Sequence, residues 1–581
     1  MASSFVLQAP WAITTNLSCF PSFTKPSHVF PHKKPNNKFK VSCNQNNEAN
    51  NSQEKVERRN LLLGLGGIYG AAHLLPYDAL ASPIPSPTIT QCSTAFIDDG
   101  VPKIPVCYTC CPPIPDKKDV PCYDLPLVSG FRVRPAAQTV DDEYIAKYNE
   151  AYSRMKALPT DDPRSFMQQA NIHCAYCNGA YKVGGKELQV HFSWLFFPFH
   201  RWYLYFHERI LASLIGDPTF ALPYWNWDHP KGMHLPDMFD VEGTSIYNER
   251  RNQKHRNGFI MDLGYAGEDV VANDLQKMVN NLAIMYRQMI TNAPCPLLFF
   301  GKPYRLGSKP SPGMGTIENV PHNSIHRWVG DPRQPNQEDM GNFYSSGKDP
   351  AFFSLHANVD RMWTIWKTLG RKRKDISDPD YLDTEFFFYD EKAKPFRVRV
   401  QDCLDEKKLG YTFQPMDTPW KNFKPLLRKN TKNVKIDPNS VPPASQVFPI
   451  KKLDKIVTFS VARPKKLRTK KEKEDEEELL TFKNVELDVR KFVRFDVFLN
   501  EDNDVIANEV DRTEFVGSFA NLPHIHDDPK KEKFPEFSLA INELLEDLKL
   551  EGDDLVVVTL VPKIGGDNVS IEAVEIQLVP C

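Results

Sequence analysis

Six of the chain's 15 histidines fall into two groups of three whose spacing could support metal chemistry. In chain order, the two groups are His173, His191 and His200, then His322, His326 and His356. His322 and His326 are four residues apart, so on a helix both rings project from one face and can converge on one ion. A single pair of this kind is more often structural, but two complete triads together predict two metal ions.

The type of ligand narrows the choice of metal. Three neutral imidazoles suit copper, zinc, iron or nickel, and they leave a coordination position open for O₂ or a substrate. No Asp or Glu ligand accompanies the triads in the sequence pattern, which argues against magnesium and against a carboxylate-rich di-iron site. Spacing alone does not select copper.

Other histidines have structural interpretations. His200 and His207 would share a helical face, but a separation of seven residues is about 10.5 Å along the axis, too far for one ion. Glu208 offers His207 a polar partner. His524 and His526 alternate as on a strand and could chelate an ion, although an isolated pair is more often structural.

The sequence around these histidines predicts a helical region that contains both triads, followed by a linker and a β-rich region. From about 143 to 369, aromatic and aliphatic helical runs alternate with polar loops, and Leu195–Ile215 is apolar on most faces, as in a buried helix with Pro198 in its first turn. Residues 437–480 are rich in proline and then in charge, which predicts an exposed, cleavable linker. Beyond it, alternating runs such as KFVRFDVFL at 491–499 predict a separate β-rich domain.

Composition indicates a globular protein with a small-molecule partner. The 581 residues are 41% hydrophobic and carry a net charge of −2, enough for two or three domains with real cores. Nucleic acid is an unexpected partner because its binding normally needs a strongly basic face.

The N-terminal 81 residues resemble two targeting signals in series. Residues 1–47 contain no Asp or Glu but several lysines, as in an organellar transit peptide. Arg58-Arg59, the apolar run Leu61–Leu75 and Ala79-Leu80-Ala81 then have the regions of an export signal. The 15 residues of that run are too few to span about 30 Å of hydrocarbon, so we expect no stable membrane span in the mature chain.

Cysteines cluster in a proline-rich segment after the targeting region. These are Cys92, Cys107, Cys110 and Cys111, with Cys122 and Cys174 further on. The cluster predicts disulfides in an oxidising compartment, and the adjacent Cys110 and Cys111 do not match the usual spacing of zinc ligands. The pattern leaves the pairing open.

Five motifs carry a specific family resemblance. They are HCAYCNGAY at 173–181, LFFPFHRWYLYFHERIL at 195–211, PYWNWD at 223–228, PHNSIHRW at 321–328 and HANVDRMW at 356–363. Together they resemble the plant polyphenol oxidases, and the similarity extends from about residue 92 to the end of the chain.

The resemblance implies a fold and a cofactor. It implies a mainly α catalytic domain at 82–436 with a four-helix bundle around two copper ions, and a β-rich sandwich or barrel at 481–581 that shields the active site. The implied ligands of copper A are His173, His191 and His200, and those of copper B are His322, His326 and His356. A thioether between Cys177 and His191 is also implied, as are the disulfides Cys92–Cys111 and Cys110–Cys174, which leaves Cys107 and Cys122 as candidates for a further pair.

The resemblance also implies an activity. It is the oxidation of catechols to o-quinones with reduction of O₂ to water, with some hydroxylation of monophenols, by a latent enzyme of the chloroplast thylakoid lumen. Phe343 resembles an aromatic gate over the substrate, and Glu318 and Asn323 resemble a pair that holds a water molecule. Phe343 could equally be a core residue, and Glu318 a helix-terminal carboxylate.

Two departures from the family pattern keep alternatives open. Leu355-His356 stands where most relatives have two histidines, which would alter the surroundings of a metal ligand. Tyr411-Thr412-Phe413 replaces a usual Tyr-x-Tyr. A weakly active or substrate-dedicated biosynthetic homologue is therefore one alternative, and a reversible O₂ carrier is another.

Overall fold

The computed structural model describes residues 82–97, 106–115, 120–425, 436–500, 510–524 and 532–581. The expected targeting segment at 1–81 and His526 lie outside these ranges. None of the helices in these ranges combines the length and the hydrophobicity that a membrane span requires. We call residues 82–425 the helical domain and residues 436–581 the C-terminal β domain.

Helices dominate the first of these domains. Along the described chain, the α-helices α1 to α11 are Asp142–Lys156, Phe166–Cys177, Phe196–Ile215, Asp274–Tyr286, Pro296–Phe299, Asn323–Val329, Ala351–Thr368, Pro379–Leu382, Ala444–Val447, Lys470–Asp475 and Asn542–Asp547. Two π-helical turns, Arg287–Thr291 and Glu318–His322, directly follow α4 and directly precede α6. Side-chain caps start several helices, as where Ser165 accepts a hydrogen bond from the backbone of Gln168 at the start of α2.

Helix α3 lies at the centre of the helical domain. Sixteen of its 20 residues are buried, as its nearly continuous apolar sequence predicts, and Pro198 is accommodated in the first turn. The helix ends at Gly216, whose φ of 67° lies in the left-handed region that favours glycine. It packs against α1 and α7, and these three helices form part of the core of the helical domain.

Strands form small sheets in the helical domain and two larger sheets in the C-terminal β domain. Along the described chain, β1 to β15 are Ala95–Ile97, Val106–Tyr108, Arg132–Arg134, Lys182–Val183, Lys186–Glu187, Glu385–Tyr389, Pro395–Arg399, Tyr411–Phe413, Val457–Ala462, Glu476–Leu487, Arg494–Leu499, Phe515–Ala520, Glu532–Ala540, Leu555–Ile564 and Ala573–Pro580. Strand β3 pairs with β8 in parallel and so joins the two ends of the helical domain.

The C-terminal β domain contains two antiparallel sheets. One has the strand order β13–β10–β15 and the other the order β12–β11–β14–β9. Phenylalanine rings join the two sheets: Phe482 lies 6.2 Å from Phe495, and Phe537 lies 5.3 Å from Phe519. The β-rich domain predicted from alternating runs is therefore present, and its core is built from aromatic side chains on the facing sheets.

Residues 437–480, which were expected to form an exposed linker, contain ordered helix and strand in the structure. This segment contains β9, the helix α10 and the first residues of β10, all of which belong to the C-terminal β domain. Oppositely charged partners allow its charged run to fold: Arg463 pairs with the buried Glu478 at 2.6 Å, and Lys473 pairs with Glu546 at 2.6 Å. Much of the charged run is exposed, as its density of charge predicted, but pairing of those charges stabilises ordered structure in place of a linker.

Candidate metal centre

Six histidines from separate segments meet in the core of the helical domain. His173 lies on α2, His200 on α3, His326 on α6 and His356 on α7, while His322 ends the π-helical turn that precedes α6. The sixth, His191, lies in the loop between β5 and α3. Each ring is buried, with at most 1% of the residue exposed.

The histidines form the two triads that their order in the sequence predicts. Within each triad, one ring nitrogen from every member lies within 4.8 Å of those of the other two. The triads are adjacent, since His200 stacks on His356 with ring centroids 4.3 Å apart. Helices α3 and α7 therefore each supply one histidine, and these two rings lie face to face between the triads.

Backbone carbonyls fix the direction of four rings. The Nδ1–H of each ring donates to a carbonyl oxygen at 2.8 Å, and the donor–acceptor pairs are His173 with Phe343, His200 with Phe196, His326 with Met340 and His356 with Phe352. Such a bond selects the tautomer and leaves Nε2 as the free electron-pair donor. Nδ1 of His322 lies 3.0 Å from Asn323 Oδ1 and 3.3 Å from the Glu318 carbonyl oxygen.

The nitrogens that face the centre fit metal ions. Nε2 of His173, His200 and His326 has no hydrogen-bond partner among the described residues, and the same holds for both ring nitrogens of His191. Burying such atoms without a partner costs about 1–3 kcal/mol each. Burial also lowers the pKa of His200 to about 3 and that of His326 to about 4. Neutral rings with unpaired nitrogens are the form that binds a metal.

The predicted gate and water-binding residues lie beside the triads. The ring of Phe343 stacks on His191 with centroids 4.1 Å apart. Glu318 accepts a hydrogen bond from the backbone of Phe192 through Oε1, whereas its buried Oε2 has no partner among the described residues. Burial raises the pKa of Glu318 well above its ordinary value. The roles of these residues as gate and water-binding groups stay predictions.

A buried ion network joins the helices that carry the triads. Asp360, one turn after His356 on α7, accepts from Arg201 on α3 at 2.5 Å and from Arg134 at 2.8 Å. Tyr411 also donates to Asp360, at 2.5 Å. The sequence gave no sign that Arg201 and Arg134 are partners of Asp360.

Two histidines outside the triads have partners that differ from those expected. His207 contacts the hydroxyl of Tyr152 at 2.9 Å and Gln169 rather than Glu208, which pairs with Arg134. His524 of the C-terminal β domain is buried against the candidate centre, with its ring 5.0 Å from that of Phe343. Its position next to the centre was missed, because the sequence suggested only a pairing with His526.

The cysteines form three disulfides among the described residues. Cys92 is bonded to Cys111, and Cys110 to Cys174, the residue after His173. The third bond, Cys295–Cys581, was not predicted and links the helical domain to the last residue of the chain. Cys122 has a free, exposed thiol, and the side chain of Cys107, its suggested partner, lies outside the described part of the structure. Cys177 has a free, buried thiol, and its thioether with His191 stays a prediction.

Three family models match successive parts of the chain. Residues 163–369 match the common central domain of tyrosinase, residues 375–426 the polyphenol oxidase middle domain, and residues 448–578 the chloroplastic polyphenol oxidase C-terminal domain. The last match begins before β9, in agreement with the folded structure of the expected linker.

Full-length relatives and solved structures agree with these matches. The chain is 58% identical to polyphenol oxidase E, chloroplastic, of Solanum lycopersicum over 100% of both chains, and 59% identical to catechol oxidase B, chloroplastic, of Solanum tuberosum over 98% and 97% of the two chains. Latent apple tyrosinase is 49% identical with a TM-score of 0.75, covering 79% of this chain and all of that one. Latent aurone synthase is 41% identical with a TM-score of 0.80, covering 86% and 99%.

The central domain and the paired triads define a copper-dependent oxidoreductase with a type 3 dicopper centre. The chain belongs to the plant chloroplast polyphenol oxidase family, and its location is accordingly the chloroplast.

Proposed function

We propose that the protein oxidises o-diphenols to o-quinones, with some hydroxylation of monophenols as a secondary activity. Two catechols would each lose two electrons and two protons, and one O₂ would be reduced to two waters. The observation that carries this proposal is the pair of buried triads whose inward nitrogens have no partner outside the centre: those of His173, His191, His200 and His326 have none among the described residues, and Nε2 of His322 lies 3.0 Å from Nε2 of His356. The O₂ carrier is disfavoured because the full-length relatives are named as oxidases.

Each triad would hold one copper ion, copper A by His173, His191 and His200 and copper B by His322, His326 and His356. When bound, the two ions would supply the electron transfer between phenol and O₂. The protein's own contribution is orientation, because four of the rings are fixed by backbone carbonyls. Phe343 would stack on the aromatic substrate, and Glu318 with Asn323 would hold a water molecule beside copper B.

The C-terminal β domain would keep the intact enzyme latent. Its segment Asn521–His524 reaches the centre: the Pro523 carbonyl accepts from the backbone of Phe343 at 3.3 Å, and the His524 ring lies 5.0 Å from Phe343. A catechol stacked on Phe343 would need the space that His524 fills. We place the catalytic domain at 82–436, as the sequence suggested, and begin the shielding domain before β9 instead of at residue 481.

Delivery to the thylakoid lumen is supported by the sequence alone. The acid-free segment at 1–47 would direct import into the chloroplast, and the second signal, which ends near Ala81, would direct transfer into the lumen. Import of the labelled precursor into isolated chloroplasts, followed by N-terminal sequencing of the lumenal product, tests this. A mature chain in the stroma that still contains Leu61–Leu75 would contradict it.

Oxygen uptake tests the proposed reaction. The copper-loaded full chain is assayed with 4-methylcatechol and separately with tyramine, before and after addition of mild detergent. We expect slow uptake before detergent, rapid uptake with the catechol after it, and slower uptake with tyramine. No uptake with the catechol in detergent, despite two bound coppers, would refute the oxidase proposal, and equal rates before and after detergent would refute latency.

Leu355 favours a second candidate function, that of an enzyme dedicated to one biosynthetic phenol. Leu355 is fully buried on α7 next to the proposed ligand His356, at the position where the family pattern has histidine. A panel of phenols distinguishes the two functions, because a dedicated enzyme would oxidise one class at least tenfold faster than 4-methylcatechol. If Leu355→His broadened that preference, the residue would be identified as its cause.

A further inference from the structure

Three asparagines of the helical domain contact alternate residues of strand β12. Asn292 Nδ2 donates to the Val516 carbonyl at 2.8 Å, and Asn323 Nδ2 donates to the Ala520 carbonyl at 3.0 Å. Asn319 lies between them and makes two bonds: its Nδ2 donates to the Ser518 carbonyl at 2.6 Å, and its Oδ1 accepts from the Ala520 N–H at 2.7 Å. We call Asn292, Asn319 and Asn323 the asparagine row.

The strand that the row contacts has an open edge. Strand β12 is the outer member of its sheet and pairs only with β11 among the described strands. An unpaired edge presents backbone groups on every second residue, about 6.6–6.8 Å apart. A carboxamide has one C=O and one NH₂, so it can pair with such an edge as another peptide group would. The asparagine row therefore occupies the place of a neighbouring strand.

The spacing and size of the contacting groups suit this pairing. Asn319 and Asn323 lie on either side of the kink at Val320, and their Nδ2 atoms reach the Ser518 and Ala520 carbonyls, which are two residues and so one repeat of the strand edge apart. Gly517 lies between the first two contacted residues, and a Cβ there would lie 3.1 Å from Asn292 Nδ2 and 2.9 Å from Leu539. A glycine at this position thus permits the close approach of Asn292.

We propose that the asparagine row is a docking surface for the edge of a β-strand, and that its occupant is β12 of the same chain. Every bond from the row to β12 goes to backbone atoms, so the surface recognises the spacing of the strand rather than its side chains. The row also reaches the centre, because Asn323 Oδ1 contacts Nδ1 of His322. The consequence for activity rests on the proposed latency: release of β12 would uncover Asn323 and withdraw His524 together.

Hydrogen exchange of the copper-loaded full chain tests docking without reference to activity. Asn319→Leu removes two of the four bonds, and we expect the Ala520 amide to exchange about tenfold faster or more. The amide of Phe519 should change less, because adjacent residues of a strand face opposite sides and Phe519 pairs with β11. Fragmentation at residue resolution separates these two amides.

Asn281 provides a matched control within the helical domain. Its amide makes the same two kinds of bond, to the Met261 carbonyl at 2.7 Å and from the Leu263 N–H at 2.8 Å. Asn281→Leu should leave the Ala520 amide protected. Asn292→Leu, which removes one bond at the other end of the row, is the second test variant should Asn319→Leu not fold. The proposal would be overturned if the amides of β12 exchanged at an unchanged rate in folded Asn319→Leu and Asn292→Leu. It would also be overturned if Asn281→Leu increased that rate as much as they do.

Oxygen uptake without detergent then separates docking from latency. We expect Asn319→Leu to raise the uptake of the uncut chain severalfold, with copper content and detergent-activated uptake equal to those of the unmodified chain. Faster exchange with unchanged uptake would support the docking surface and refute the proposed latency. Unchanged exchange with unchanged uptake would refute the docking surface alone.

Discussion

The two histidine triads do the same chemical task but are held in different ways. In the triad of His173, His191 and His200, one member lies in a loop, and neither of its ring nitrogens has a hydrogen-bond partner among the described residues. In the triad of His322, His326 and His356, every ring has a bond at Nδ1. The second triad is oriented by hydrogen bonds, whereas the first needs another restraint on His191.

The triads also differ in what lies next to them. The first is fastened within the helical domain, because Cys174 follows His173 and is bonded to Cys110. The second adjoins the C-terminal β domain, since Asn323 bonds both to His322 and to Ala520. His524 reaches the first triad through the ring of Phe343, which stacks on His191. Copper A should therefore depend more on covalent restraints, and copper B more on the Asn323 bonds that change when the C-terminal β domain leaves.

Loss of a ligand from the second triad should have the largest effect. His326→Ala removes a buried ring whose Nε2 faces the centre, so we expect the bound copper to fall from two ions to one and the detergent-activated uptake to fall by about 10³-fold or more. Copper analysis and oxygen uptake measure this. His207→Gln is the matched control, since His207 bonds to Tyr152 and Gln169 outside the centre. Two coppers and full activity in His326→Ala would contradict the assignment of the second triad.

Breaking the buried ion network around Asp360 should have the next largest effect. Asp360→Asn removes the charge that pairs with the buried Arg201 and Arg134, and we expect the free energy of unfolding to fall by about 3–5 kcal/mol. Denaturant unfolding measures it. Glu150→Gln breaks the exposed pair with Arg154 and should change the same quantity by less than about 1 kcal/mol. Equal changes in the free energy of unfolding for the two variants would show that the buried ion network does not hold α3 and α7 together.

The loop histidine of the first triad tests the covalent restraint. A thioether between Cys177 and His191 would make the mature protein lighter by two hydrogen atoms, which peptide mass spectrometry detects. Cys177→Ser should then weaken copper A by about tenfold while copper B stays bound, because only His191 loses its restraint. Cys403→Ser is a control, as Cys403 is the other buried free thiol among the described residues. A normal peptide mass together with unchanged copper affinity would refute the thioether.

The sequence predicted those features of the site that lie in local spacing. His322 and His326 follow a helical repeat, and the aromatic run of α3 follows from its continuous apolar pattern. The asparagine row could not be predicted, because Asn319 bonds to backbone atoms about 200 residues away, and any strand of suitable spacing offers the same groups. The segment at 437–480 was wrongly expected to be a linker, since the pairing of Arg463 with Glu478 depends on the folded sheet.

The bond between Cys295 and Cys581 was also beyond prediction, because cysteine counts do not determine connectivity. This bond leads to a prediction about the C-terminal β domain, which covers the second triad. If the peptide chain is cut near the start of the C-terminal β domain, the rest of that domain should stay attached through this disulfide. Its redocking is then intramolecular, so a cut alone should leave latency largely intact.

A specific protease site inserted at the exposed Asn439 tests this attachment with the smallest change to the folded protein. After cleavage, we expect one species on a gel without reductant and two with it, and slow oxygen uptake until reductant is added. Cys581→Ser should give two species in both gels and rapid uptake upon cleavage alone. Rapid uptake by the cut but unreduced parent chain would show that the asparagine row and the disulfide together do not retain the domain. The second triad would then depend on the intact peptide chain for its cover.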